Sequence, residues 1–126
     1  MSTLYERRVE QEWRLLEAIA KGNPDLLENP TRCVEVDSAL FRFRLQQTQA
    51  LIQTPTGLHL QDLHDVVIYF PRFFPSVPIE ASLLKPVFHP NVHPETGFVC
   101  LWNRFSPGDT VVEAITQLQR VITWEL

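Results

Sequence analysis

The chain is short of glycine and cysteine, and it carries no excess of positive charge. Four glycines stand against ten prolines. Most of the prolines lie between Pro71 and Pro107, so the second half reads as stiff and loop-rich. The two cysteines, Cys33 and Cys100, lack C-x-x-C spacing. In a reducing compartment both are expected as free thiols, although sequence alone leaves a bond between them open. Eleven basic residues against fifteen acidic ones give a net charge of −4, and the basic residues do not cluster, which argues against a nucleic-acid surface. No apolar run approaches a membrane span, and the N-terminus lacks the apolar centre of a signal peptide. The expected setting is therefore the cytoplasm, with no membrane partner. Internal repeats and low-complexity segments are also missing. What remains is a 126-residue chain with 44% hydrophobic residues, long enough to bury a core as one domain over 1–126.

The pattern along the chain predicts an α+β fold. A helix is expected from about Thr3 to Lys21, with Thr3 and Glu6 at capping-box spacing and Val9, Trp13, Leu16 and Ala20 forming an apolar stripe. Gly22 and Pro24 end it. Arg7, Arg8 and Arg14 lie on the opposite face, either as a solvated surface or as a docking surface for a partner. Residues 25–30 read as a linker, and the period then changes to two. Strands are expected at 32–36, around Phe41–Leu45, at 63–70 and at 79–84, with Thr54-Pro55-Thr56-Gly57 as a turn. Gln47 to Gln53 is expected as extended chain. Strands joined in sequence by short turns make an antiparallel meander of four. A second helix is expected from about Thr110 onward, with Asp109 as its natural N-cap and Thr110 as the other choice. Val111, Ala114, Ile115, Leu118, Val121 and Ile122 form its apolar face.

The stretch from Phe88 to Leu101 concentrates the chemistry. Two His-Pro steps, His89-Pro90 and His93-Pro94, hold the backbone extended. Glu95-Thr96-Gly97 reads as a turn in which Gly97 can take a positive φ. The local picture brings the Asn91 amide back towards the Cys100 sulfur. Cys100 stands between Val99 and Leu101, where a buried core cysteine is the plainer reading. His89, His93 and Cys100 are three metal-type side chains in one loop, short of the closed four-ligand set of structural zinc. A papain-like protease would need a residue to orient a histidine base, and none presents itself. Cys33 reads as a core or edge-strand residue.

These motifs resemble those of the ubiquitin-conjugating enzymes, the UBC fold. Phe70-Pro71-Arg72-Phe73-Phe74-Pro75-Ser76-Val77-Pro78 is similar to the family's phenylalanine-proline, aromatic-proline, proline pattern. Val87-Phe88-His89-Pro90-Asn91-Val92 is similar to its His-Pro-Asn segment, and Gly97-Phe98-Val99-Cys100-Leu101 to the segment holding its reactive thiol. Phe105-Ser106-Pro107 is similar to the loop before its next helix. The resemblance covers essentially the whole chain. It implies a UBC-like fold with an N-terminal helix, a four-stranded antiparallel meander, an active-site loop and a C-terminal helix, without the family's usual last two helices. Apolar surface on the last helix is then expected to be left looking for cover.

The implied activity is acceptance of a ubiquitin-like protein as a thioester from an activating enzyme, followed by transfer to an amine or thiol of a protein substrate. Cys100 would be the nucleophile. Asn91 would lie near the reacting carbonyl, or bond its own loop, or both. His89, Pro90, Gly97 and Leu101 would support the loop, and Arg7, Arg8 and Arg14 would face the activating enzyme. Thioester exchange needs no metal and no cofactor on this chain. In three respects the sequence departs from the family: the Asn91–Cys100 loop is one residue longer, the Cys100–Pro107 segment is shorter, and the usual downstream acidic residue has no counterpart. The compact form resembles the ubiquitin-conjugating-like proteins of bacteria. The alternative is a non-catalytic variant of the same fold that binds a ubiquitin-like protein or a partner peptide.

Overall fold

A computed structural model describes residues 3–125 of the chain. Helix α1 spans Leu4–Gly22 and starts at Thr3, whose Oγ1 accepts the Glu6 N–H at 3.0 Å. Tyr5, Val9, Trp13 and Leu16 are buried, as their helical spacing requires, while Ala20 is only half-buried. Glu12 lies on the same inner face and is 1% exposed, a position at which a charge is rarely found unless paired.

The strands are β1 (Leu27–Val34), β2 (Ala39–Leu45), β3 (Ala50–Thr54), β4 (Gly57–Gln61), β5 (His64–Phe70), β6 (Glu80–Leu83) and β7 (Phe98–Val99). A five-stranded antiparallel sheet has the order β1-β2-β5-β6-β7, and β3 and β4 form a separate hairpin. The four expected strands are β1, β2, β5 and β6. Along one face the register sets Phe41 beside Ile68, Ile68 beside Ala81, and Phe43 beside Val66, and all of these side chains are buried. A chain of tilted and edge-on rings carries the core from α1 across the sheet: Trp13 to Phe41 at 5.2 Å, Phe41 to Phe70 at 4.7 Å, and Phe70 to Phe74 at 5.0 Å. Such pairs add about 0.5–1.5 kcal/mol each beyond their buried area.

Several boundaries differ from the sequence reading. The supposed linker already belongs to β1, because Leu27 is fully buried and pairs with Leu45. Asn29 takes a positive φ of 55°, and the register shifts between Glu28 and Thr31; an edge strand with a bulge is where proline is tolerated. The strand stops at Val34, leaving Val36 at 84% exposure. The turn at Thr54–Gly57 closes a hairpin whose return strand, β4, was not expected. That hairpin is tied down by Phe88 N–H donating to Leu51 O at 2.6 Å, and by Ala50, which is buried. Its base is held by His64 Nε2 bonded to Thr48 O at 2.8 Å.

Helix α2 spans Val111–Ile122. Its N-cap is Thr110 rather than Asp109: Thr110 Oγ1 accepts the Val112 N–H, and Glu113 Oε2 accepts the Thr110 N–H, completing a capping box. Asp109 instead accepts the Ser106 N–H at 2.9 Å and closes the loop ahead of the helix. Val111, Ala114, Ile115, Leu118, Val121 and Ile122 are each at most 4% exposed. The expectation of uncovered apolar surface on this helix holds only at its edge: the six-residue face packs against α1 and β6, while Val112 is 41% exposed. Among the described residues, α1 and α2 are the only helices.

Candidate active site

The segment from Asn91 to Cys100 folds back on itself as a small antiparallel pair. Val92 bridges Val99, His93 N–H donates to Phe98 O at 2.8 Å, and Cys100 N–H donates to Asn91 O at 2.8 Å. This register sets Asn91 opposite Cys100. The turn at 94–97 closes without separating the two. Asn91 Nδ2 lies 3.5 Å from Cys100 O, a long contact that leaves the amide's second N–H uncommitted.

Gly97 is required at the turn on two grounds. Its φ is +74°, and a Cβ there would stand 1.9 Å from Leu83 O. The close approach is used, because Leu83 N–H donates to Gly97 O at 2.9 Å and β7 is thereby fixed to the sheet. Side chains alternate across an extended segment. Val99 and Leu101 therefore turn into the core, at 1% and 5% exposure, and Cys100 turns to solvent. The plainer reading of Cys100 as a core cysteine fails on this alternation. Cys33 lies exposed on β1, and both thiols are free.

On the entry side, His89 is buried against Trp124, with ring centroids 4.5 Å apart, and its Nδ1 accepts the Asn91 N–H at 2.9 Å. Pro90 and Asn91 are exposed. On the exit side, Leu101 O accepts from Gln117 Nε2 at 3.2 Å, and Trp102 Nε1 donates to Ile79 O at 2.7 Å. Trp102 then meets Phe105 edge-on at 5.1 Å. The segment after the thiol is thus pinned to both α2 and Ile79, just ahead of β6. His93 turns its Nδ1 to the loop's own amides. No group of three or more His, Cys, Asp or Glu among the described residues is placed to hold a metal ion.

The three arginines of α1 have different surroundings. Arg7 is exposed, and Arg14 is exposed with Glu10 at 3.4 Å. Arg8 turns inward: Nη1 donates to Pro107 O at 2.7 Å, Nη2 lies 3.8 Å from Glu12, and the guanidinium sits over the Phe74 ring at 4.9 Å. Sequence reasoning missed Glu12, whose Oε1 accepts the Val111 N–H at 2.5 Å and so caps α2 from α1. Burial pushes the Glu12 carboxyl above its ordinary range, against the pull of the Val111 N–H and Arg8, and Glu113 pushes in the same direction as burial. The signal was present in the spacing of Tyr5, Val9, Glu12 and Leu16, which places Glu12 on the buried stripe.

The same architecture occurs in solved structures. The human ubiquitin-conjugating enzyme E2 G1 superposes with a TM-score of 0.59 at 17% identity, covering 96% of this chain and 98% of that one. A ubiquitin-conjugating enzyme from Trypanosoma cruzi gives 0.64 at 16% identity, over 98% of this chain and 81% of that one. At such identities the likeness speaks for the fold. The sequence itself matches the family model described as ubiquitin-conjugating enzyme over residues 14–123. That match spans both the Asn91–Cys100 pair and the helix that backs it, and the chain belongs to the ubiquitin-conjugating enzyme family.

Proposed function

We propose that Cys100 accepts a ubiquitin-like protein from an activating enzyme and passes it to an amine or thiol of a protein substrate. The observation that carries this reading is the outward-facing Cys100 thiol, set between two buried neighbours and opposite Asn91. In the loading step the Cys100 thiolate attacks the carbonyl carbon of the modifier's thioester on the activating enzyme. A new C–S bond forms, the old one breaks, and the activating enzyme's thiolate leaves and is protonated. In the discharge step the acceptor attacks the same carbon, and the tetrahedral oxyanion collapses with expulsion of the Cys100 thiolate. For an amine acceptor the nitrogen loses a proton. Asn91 contributes an amide N–H at the developing oxyanion, a contribution on the order of 3 kcal/mol where such a donor is well placed.

His89, Pro90, Gly97 and Leu101 hold the two strands of the site in place. Arg7, Arg8 and Arg14 belong to the docking face for the activating enzyme; within it Arg7 and Arg14 reach solvent, and Arg8 steadies the loop at Pro107. The partners are a ubiquitin-like modifier, an ATP-using activating enzyme and a protein acceptor, in a compact pathway of the bacterial kind. A reducing cytoplasm suits the chemistry, because both exposed thiols stay free there.

The test combines the chain with its modifier, activating enzyme and ATP. An adduct sensitive to reductant is expected on a non-reducing gel. It should be lost in Cys100→Ala and persist as a reductant-resistant ester in Cys100→Ser. No adduct in the wild type sinks the catalytic reading in favour of a non-catalytic binding domain, and an equal adduct in Cys100→Ala moves the acceptor away from Cys100.

A further inference from the structure

The turn between Asn91 and Cys100 is organised by a side chain that lies outside the motifs shared with the family. His93 Nδ1 accepts two backbone N–H groups, those of Glu95 and Thr96, each at 3.1 Å. The His93 N–H donates to Phe98 O at 2.8 Å, and its carbonyl accepts the Gly97 N–H at 2.9 Å. A side-chain acceptor that bonds amides two and three residues further on is the arrangement Asp and Asn ordinarily make in Asx turns. Here an imidazole fills that role. The ring is exposed, so water could satisfy it, and burial does not force it into this geometry.

These bonds close the turn that joins the two sides of the pair, and together with the β6–β7 pairing they keep 98–100 in step with 91–93. In a two-stranded pair, a slip of one residue turns every side chain to the opposite face. Such a slip of 98–100 against 91–93 would bring Val99 to solvent and turn Cys100 inward. Thr96 Oγ1 also accepts the Phe98 N–H, at 3.2 Å, but it bonds only the strand's first residue. His93 alone reaches across the turn with both its side chain and its main chain.

We propose that His93 is a positioning residue for the thiol: by capping the 94–97 turn through Nδ1, it locks Asn91 opposite Cys100 and holds Cys100 at the surface. This rests on the reading of Cys100 as the reacting thiol. It assigns His93 no contact with the modifier or the acceptor.

The test uses the full chain with Cys33→Ser, which leaves Cys100 as the one thiol, and iodoacetamide as the probe. The second-order alkylation rate is compared among four versions: parent, His93→Ala, His93→Phe and His93→Asp. Phenylalanine keeps the ring and removes the acceptor, whereas aspartate removes the ring and restores an acceptor of Asx type. Alanine and phenylalanine should each slow alkylation by about threefold or more, as expected for loss of two hydrogen bonds of ordinary net strength. Aspartate should return the rate to within about twofold of the parent, because its carboxylate meets the same two amides. Exchange of the Glu95 and Thr96 amide hydrogens should quicken in the first two variants and slow again in the third. Equal rates in all four versions would overturn the proposal. So would a slow His93→Asp, which would show that the ring and not the acceptor matters. If the parent's Cys100 resists alkylation while the unfolded chain reacts, it is the reading of Cys100 as an exposed nucleophile that falls, and amide exchange still decides whether His93 caps the turn.

Discussion

At the scale of single residues, Gly97 and Glu12 impose the sharpest constraints. Gly97→Ala must accommodate both a positive φ and a Cβ 1.9 Å from Leu83 O. A loss of stability on the order of 3 kcal/mol is expected, whereas Gly108→Ala, where a Cβ meets nothing within 4 Å, should be nearly neutral. Urea unfolding of the two variants separates them. Glu12 makes a prediction about pH. Its folded-state carboxyl is raised above the ordinary value, chiefly by burial, so the folded state holds this proton more tightly than the unfolded one. Stability from this group is therefore present below the ordinary carboxylate range and is lost as pH rises through the raised folded value. Glu12→Gln keeps an oxygen to accept the Val111 N–H and removes the ionisation. The variant should gain stability relative to wild type as pH rises from about 4 towards neutrality, and parallel pH profiles of wild type and variant would contradict this. Asn91→Ala distinguishes the two roles open to that amide: a normal rate of loading with slower discharge marks the oxyanion role, and normal discharge with a lowered melting temperature leaves only the loop bond.

At the scale of elements, the N-terminus of α2 is the part most open to a simple check. Thr110→Ala removes an N-cap and half of a capping box, and should cost about 1 kcal/mol. Asp109→Ala removes only the bond to the Ser106 N–H and should cost less; the reverse order in thermal or urea unfolding would place the cap at Asp109. Here sequence reading went astray for a physical reason, because adjacent Asp and Thr are both good cap formers. The deciding signal was Glu113, three residues after Thr110, which completes the box only from that position. The strands β2, β5 and β6 were legible because buried and exposed side chains alternate cleanly along them. β1 was read as starting five residues too late, since Asn29-Pro30 looks like a break and is a bulge in an edge strand. β4 was missed because Leu58, His59 and Leu60 are all exposed, so burial leaves no periodic trace. The turn of the candidate site was legible in its Pro and Gly pattern, whereas the apolar neighbours of Cys100 by themselves pointed to a core cysteine, and the outward turn of its side chain came from the structure. What sequence could not supply was the register of that fold-back, Val92 against Val99, which depends on how the turn at 94–97 closes.

At the scale of the molecule, the two helices, the sheet and the folded-back site form a connected set of supports. Glu12 on α1 caps α2, Gln117 on α2 holds the carbonyl of Leu101, and Leu101 follows the thiol. The other support runs through Gly97 and Leu83 into the sheet. Cys100 thus sits on the surface of a braced structure and not on a free loop, which suits the proposed role of meeting two large partners in turn. Cys33, also exposed, sits on the edge strand β1 with Leu40 of β2 as its register partner, and no amide side chain stands opposite it. The contrast between the two thiols gives the most direct measurement of the central claim: intact-protein and peptide mass spectrometry after loading with modifier, activating enzyme and ATP. One modifier per chain is expected, attached at the peptide containing Cys100 and released by added thiol. A modifier found on Cys33 or on an amine of the chain, with the Cys100 peptide unmodified, would contradict it.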